Sequence, residues 1–221
     1  MKIGFDAKRI FQNATGLGNY SRTLVQNLNK FHPQYDLHLF TPKVKNNEWA
    51  ADFQQKYTTH TATSKPATLW RTFRMTKDID RHQMDIYHGL THELPFGIHR
   101  SKTKSIVTVH DLIFKIYPHQ YKPIDRKIYD WKLKYACKAA DKILAISEHT
   151  KRDIIKYYGT SPNKIEVIHQ SCSDDFFNKK SEIELQETTK KYQLPKEYLL
   201  YVGSIIERKN LLTLVKALPL L

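Results

Sequence analysis

Short apolar runs recur along this chain, and the stretches between them carry helical patterns rather than tight hairpin turns. That alternation constrains the fold more than any other feature. Strands joined through helices cannot close as hairpins, so they run parallel in a sheet covered by its own crossovers. Strand character is predicted at Lys2 to Ala7, Tyr35 to Phe40, Asp85 to His88, Ser105 to His110, Lys142 to Ser147 and Lys164 to Ile168. A helix is predicted from Asn19 to about Phe31, with Tyr20, Leu24 and Leu28 four residues apart. Pro123 precedes a second helix, to about Ala140, with Ile124, Ile128, Trp131, Tyr135 and Ala139 on one face as its expected core stripe. Ser147 caps a third through Tyr158, which Gly159 ends. Lys43 to Asp80 is less regular: Trp49, Phe53, Trp70 and Phe73 suggest helices, with a mobile loop around Thr58 to Pro66. The expected product is a doubly wound α/β domain with a mostly parallel sheet, over residues 1–170.

After residue 170 the pattern changes. Residues 171–196 lack strand character and carry one polar helix, about Ser181 to Tyr192, so they read as a linker. Residues 197–221 hold a strong buried-strand signal, Tyr198 to Gly203, then Asn210 capping an apolar helix, Leu211 to Leu218. One strand and one helix make an incomplete second domain. Leu199, Leu200 and Val202 on the strand, with Leu211, Leu212, Leu214, Val215 and Leu218 on the helix, need a partner surface. Self-association through residues 197–221 is therefore expected.

With 40% apolar and 26% charged residues in a chain of 221, disorder is excluded as the main state. No apolar run approaches the roughly 20 residues that cross a bilayer. Asp6 interrupts the N-terminus too early for a signal peptide, so the expected location is the cytoplasm. Cys137 and Cys172 have no metal-ligand spacing. Charge is the outlier: 36 basic residues against 22 acidic give +14. Between Ser101 and Thr160 there are 13 basic residues and 6 acidic, half the excess of the chain. Such a field favours an anionic partner: nucleic acid, an acidic membrane surface or a phosphate-bearing small molecule. No zinc finger, helix-turn-helix or RNA-recognition signature supports a nucleic-acid-binding module. A non-catalytic scaffold is the other alternative.

Four features carry chemistry. Gly16-Leu17-Gly18 lies at a strand-to-helix junction, where glycines let the backbone approach an anion and the helix offers unpaired N–H groups. A plain tight turn explains the same residues. His110 ends a strand at the carboxyl edge of the sheet, where open α/β folds bind ligands; a hydrogen-bonded structural histidine is the competing reading. His88 ends the preceding strand and His92 follows it, but with His110 they match no zinc spacing, and no metal is expected. Lys127, Lys134 and Lys138 fall on one line of the long helix with Trp131 among them. That row suits a merely solvated face or attraction to an anionic membrane. Arg208 and Lys209, beside a helix start, could clamp a diphosphate.

Taken in order, several motifs resemble the family 4 (group 1) retaining glycosyltransferases of the GT-B fold. They are Gly16-Leu-Gly18-Asn-Tyr20, Asp85-Ile-Tyr-His88-Gly89, Val107-Thr-Val-His110-Asp111-Leu112, Ala140 through Ser147-Glu148, Lys164 to Ile168, and Tyr198 through Lys209-Asn210. The resemblance implies two Rossmann-like domains, the first mainly for acceptor and the second for a nucleoside diphosphate sugar. It implies that Gly16, Leu17 and Gly18 face the donor diphosphate, with Lys209 pairing to it and Arg208 replacing the family's commoner arginine, whose position holds Ser204. It places His110 beside the transferred sugar, and His88, His92, Asp111, Ser147 and Glu148 in the acceptor-side cleft. The implied reaction is glycosyl transfer with retention onto a glycan or lipid-linked acceptor, with no cofactor and with peripheral contact at the inner face of an anionic membrane. The family's second-domain motif of two glutamates is absent. This chain is thus expected to be the first domain and linker of a longer enzyme, inactive alone.

Overall fold

The computed structural model describes residues 1–173 and 176–220. Residues 174, 175 and 221, which fall in the expected linker and at the end of the second domain, lie outside the described residues. The chain divides into two compact units, residues 1–173 and 174–221.

In the first unit the elements follow as β1 (Lys2–Asp6), α1 (Lys8–Gln12), α2 (Gly16–Phe31), β2 (Asp36–Thr41), α3 (Ala50–Lys56), β3 (Thr58–Thr61) and α4 (Ala67–Leu69). A π-helical stretch, Trp70–Arg74, joins α4 to α5 (Met75–Arg81). Then come β4 (Ile86–Gly89), β5 (Lys104–Val109), α6 (Ile113–Ile116), α7 (Pro123–Ala139), β6 (Lys142–Ala145), α8 (Glu148–Tyr158) and β7 (Ile165–Val167). All strand pairs are parallel, in the order β3-β2-β1-β4-β5-β6-β7. Strand order reverses between β1 and β4. Because parallel crossovers are right-handed, the connections on either side of that reversal lie on opposite faces, and a crevice opens at the carboxyl ends of the strands.

Strand alternation divides the core accordingly. Ile3, Phe5, Leu37 and Leu39 pack with Ile10, Phe11, Val25 and Phe53. Phe40, Tyr87, Val107 and Val109 pack with Trp70, Met75, Ile79, Leu133 and Ala136 on the other side. Gly4 faces the second layer, where a Cβ would meet Phe40, Tyr87 and Met84 at 3.0–3.3 Å. Ile86, His88, Ile106, Thr108 and Leu144 line a groove of about 590 Å³ beside α2.

Three local expectations are corrected. Thr58 to Pro66 is not a mobile loop throughout: Thr58–Thr61 forms edge strand β3, pairing His38–Thr41 of β2. The main chain of β2 offered a free edge, which no side-chain pattern in Lys43 to Asp80 announces. The expected core stripe of α7 holds only in part: Tyr135 and Ala139 pack against the core. Leu133, Ala136 and Cys137 are its buried residues, whereas Ile124, Ile128 and Trp131 are 71%, 45% and 48% exposed. Two apolar stripes compete on this helix, and β5 selects the smaller one because small side chains allow close approach. Finally, Gly16–Gly18 is not a loop but the first turn of α2, after Thr15. The Asn13 side chain accepts hydrogen bonds from the amides of Thr15 and Gly18 at 2.9 and 3.0 Å. Arg22 donates to the Ile10 and Asn13 carbonyls at 3.1 and 2.9 Å, tying α1 to α2.

α8 follows the sequence reading: Ser147 accepts from the Thr150 amide, and Gly159 closes the helix at φ +63°. The second unit contains α9 (Glu182–Tyr192), begun by a capping box from Ser181 to Glu184, and α10 (Leu211–Ala217). Tyr198 to Gly203, expected as a buried strand, forms none, and its apolar side chains are exposed. A parallel strand needs neighbours to hydrogen-bond, and this unit supplies none among its described residues.

A test separates the two glycines of the α2 turn. A Cβ at Gly18 would sit 1.8 Å from the Asn13 carbonyl oxygen, whereas at Gly16 it meets nothing within 4 Å. Gly18→Ala should cost about 1–3 kcal/mol in urea unfolding. Gly16→Ala should be neutral or gain up to about 1 kcal/mol. Equal effects at both positions would contradict the helical turn.

Candidate functional site

The carboxyl ends of β1, β4 and β5 meet at the strand-order reversal, and the chemistry gathers there. Asp6 closes β1, the Leu90–Glu93 segment follows β4, and His110 and Asp111 follow β5. Arg71 reaches this point from the π-helical stretch. It is buried and donates from Nε to both Asp6 carboxylate oxygens at 3.1 and 3.0 Å, with a further short contact from Nη2. Its Nη1 donates to Glu93 Oε2 at 2.5 Å, and Lys132 of α7 donates to the same oxygen at 2.9 Å. Burial opposes the Glu93 charge, but Arg71 and Lys132 outweigh it and hold this carboxyl down at about 2. Glu93 is therefore a fixed anion, unable to carry a proton near neutrality. Burial likewise opposes the Arg71 charge, and Asp6 and Glu93 more than restore it. Removing one partner of such a buried pair costs about 3–5 kcal/mol.

Above this network lies a pocket of about 220 Å³. Arg9 of α1 and Leu17 of α2 form one side, and Thr91, His92, Glu93 and Asp111 another. The wall is aromatic, from Phe114, Tyr121 and Tyr129. Asp111 Oδ1 accepts the Ile113 amide at 3.1 Å, which fixes its carboxylate at the rim. Aromatic faces beside fixed carboxylates and a cation suit a polyhydroxylated ring, whose C–H face stacks while its hydroxyls donate.

The histidines form a coupled set. His92, held at φ +64°, accepts the His110 backbone N–H on Nε2 at 2.7 Å, so that nitrogen carries no proton. His110 is buried: its Nε2 donates to the Leu90 carbonyl at 3.0 Å, and its Nδ1 accepts from the Gln170 amide at 2.9 Å. Tyr20 meets the ring edge-on at 4.8 Å. Both ring nitrogens are thus engaged within the protein. Gln170 is exposed, so displacing it frees Nδ1 for a substrate hydroxyl. His88 Nε2 and the Tyr20 hydroxyl both bond Thr108 Oγ1, at 2.8 and 3.0 Å. Burial, then the neighbouring His110, lowers His88 and His92 to about 4, and burial lowers His110. All three are neutral at neutral pH.

The expected site residues are thereby sorted. His92 and Asp111 line the pocket beside Arg9 and Leu17. His88 faces the sheet groove instead. Ser147 is occupied in capping α8, and Glu148 is exposed in its first turn, neither lining the pocket. Arg208 and Lys209 lie in the second unit, in a 3₁₀ turn before α10. Asp6, Arg9, Arg71, Tyr121, Tyr129 and Lys132 were missed. Asp6 had a signal, a carboxylate directly after a buried strand; Arg71, inside an unreadable stretch, had none. Among the described residues no group of three metal-binding side chains converges.

The buried histidines set a pH dependence. Below about 6.5 the unfolded chain takes up protons that folded His88 and His92 refuse until about 4. Stability should fall through that window, with His60 contributing in the same direction. Glu93, depressed from 4.5 to about 2, adds a further loss as pH drops through that lower range. Urea unfolding from pH 7.5 to 4 should show the fall, and His88→Gln with His92→Gln should make it shallower, leaving the part due to His60. A flat wild-type profile would rule out the neutral buried pair.

Comparisons with known proteins agree with this architecture. Residues 14–175 match Glycosyltransferase Family 4. The chain is 29% identical over 241 residues to O-antigen chain mannosyltransferase B of Escherichia coli, covering all of this chain and 60% of that one. Its fold is similar to WaaG, a glycosyltransferase involved in lipopolysaccharide biosynthesis, at TM-score 0.69 and 13% identity, over 99% of this chain and 59% of that one. Anabaena Alr3699/HepE, solved with UDP-glucose, gives 0.58 at 13% identity, over 87% and 50%. The chain spans between half and three fifths of the length of these relatives. The parallel α/β sheet is the Rossmann-like half of a GT-B architecture. Since the match takes in well over half of the sequence, the chain belongs to Glycosyltransferase Family 4.

Proposed function

We propose that this chain is the acceptor-side part of a retaining glycosyltransferase that moves a sugar from a nucleoside diphosphate sugar onto a glycan or lipid-linked acceptor. The observation that carries the proposal is the pocket at the strand-order reversal, in a chain of this family. Tyr121 and Tyr129 stack the acceptor ring, Glu93 and Asp111 accept hydrogen bonds from its hydroxyls, and Arg9 faces an anionic substituent. Nothing in the site favours the nucleic-acid or scaffold alternatives over this reading.

The donor half of the reaction draws on charge rather than proton transfer. The neutral histidines supply no cation, so stabilising the departing diphosphate falls to the α2 N-terminus at Gly16 and Leu17 and to Arg208 and Lys209. Gly18 contributes by close packing, since its amide is already bonded to Asn13. His110 orients the transferred sugar through Nδ1 once Gln170 moves aside. No cofactor or metal enters this scheme. The net charge of +14 draws the protein toward an anionic lipid-linked acceptor and the inner membrane face that holds it.

In an enzyme joining this domain to a donor-binding half, His110→Ala should lower sugar transfer about 100-fold or more at a temperature where the variant stays folded, although losing its buried hydrogen bonds also lowers the unfolding temperature. The chain 1–221 alone should show negligible turnover of UDP- or GDP-sugars. A variant that unfolds earlier with unchanged specific activity would make His110 structural.

Self-association belongs to the same proposal. Leu199, Leu200 and Val202 are 72%, 77% and 85% exposed in the second unit, so 1–221 should form oligomers and 1–196 should be monomeric by light scattering. A strictly monomeric 1–221 at high concentration would refute that.

A further inference from the structure

Helix α7 has two unlike sides. Opposite its buried Leu133, Ala136 and Cys137 stand Ile124, Ile128 and Trp131, all exposed. This strip does not stop at the helix. Phe96 stacks on Trp131 with ring centroids 4.6 Å apart, and Phe73 lies 5.4 Å from Phe96. Phe73 and Leu69, one turn apart, are each 51% exposed. Leu69, Phe73, Phe96, Trp131, Ile128 and Ile124 thus form one continuous apolar and aromatic band, where soluble surfaces normally scatter such side chains singly.

Basic side chains outnumber acidic ones beside the band, where α7 also carries Asp125. Arg74 follows Phe73, and Lys127, Lys134 and Lys138 lie on the Trp131 side of α7, all exposed. Residues 67–77 and 94–110 contain no Asp or Glu. A second copy meeting this band would oppose cations with cations. An anionic bilayer accepts both the apolar side chains and their cationic border.

We propose that this band seats the protein on an anionic lipid surface, with Phe73, Ile128 and Trp131 entering the interface and the lysines among the headgroups. The proposal rests on the lipid-linked acceptor reading in one respect. Tyr129 and Lys132 of the pocket share α7 with the band, so a seated protein meets its acceptor beside the bilayer.

Trp131 is a built-in probe: Trp70 is fully buried, and Trp49 is partly buried under the Arg22 guanidinium, 4.0 Å from its ring centre. The chain 1–221 is mixed with vesicles of phosphatidylcholine, with or without phosphatidylglycerol, and with brominated lipid. The expected results are sedimentation with the anionic vesicles only, weakening with salt, and a blue shift with bromine quenching that Trp131→Phe abolishes. Phe73→Ser with Ile128→Ser should weaken partitioning at least tenfold while lowering the unfolding temperature only slightly, because both side chains are about half exposed. Salt-sensitive binding without quenching would overturn insertion. Failure to bind anionic vesicles would overturn membrane docking altogether, as would self-association that Phe73→Ser abolishes. The functional reading is judged separately, in an enzyme that joins this domain to a donor-binding half, by transfer onto a detergent-dispersed acceptor, where the double variant should match wild type.

Discussion

Arg71 sits, out of water, between two carboxylates, one at the end of β1 and the other in the segment after its neighbour β4. Burying a guanidinium costs several kcal/mol unless its donors are satisfied, and Asp6 and Glu93 satisfy it. That requirement couples four separate pieces of chain: the end of β1, the segment after β4, the crossover between β3 and β4, and Lys132 of α7. The strand-order reversal would otherwise be a gap between diverging connections. The ion network closes its floor and fixes the Glu93 carboxylate against the pocket.

Once the floor is fixed, the division of chemical labour follows. Glu93 is locked as an anion and the three histidines are locked as neutral, so no group at the pocket floor is poised to exchange a proton near pH 7. Such a site is suited to holding hydroxyls and dipoles in place. Transition-state stabilisation by preorganised charge, rather than by an acid–base pair, is the catalysis that this arrangement can support.

Helix α7 illustrates how one element serves several ends. Its small residues let it lie close on the sheet, its edge supplies Tyr129 and Lys132 to the pocket, and its remaining face carries isoleucines, a tryptophan and lysines outward. Side-chain size decided which stripe went inward. Ala136 and Cys137 join the buried cluster that contains Val107 and Ile143, in a densely packed layer with no room for a tryptophan.

The sequence determined the parallel α/β class, most strand and helix positions, and the motifs that resemble the glycosyltransferase family. Those signals are local: apolar runs, Ser147 and Gly159 at the ends of α8, Pro123 at the start of α7. His92 and Asp111, placed in the cleft by the family resemblance, line the pocket in the folded domain. The tertiary structure alone decided that Arg71 belongs to the site, that Asn13 takes the Gly18 amide, that Thr58–Thr61 completes the sheet edge, and that Trp131 faces outward. Each of these depends on partners far apart in the chain, such as Asp6 and Arg71, 65 residues from one another. Periodicity reports which side of an element is apolar, but only the assembled sheet determines what that side meets.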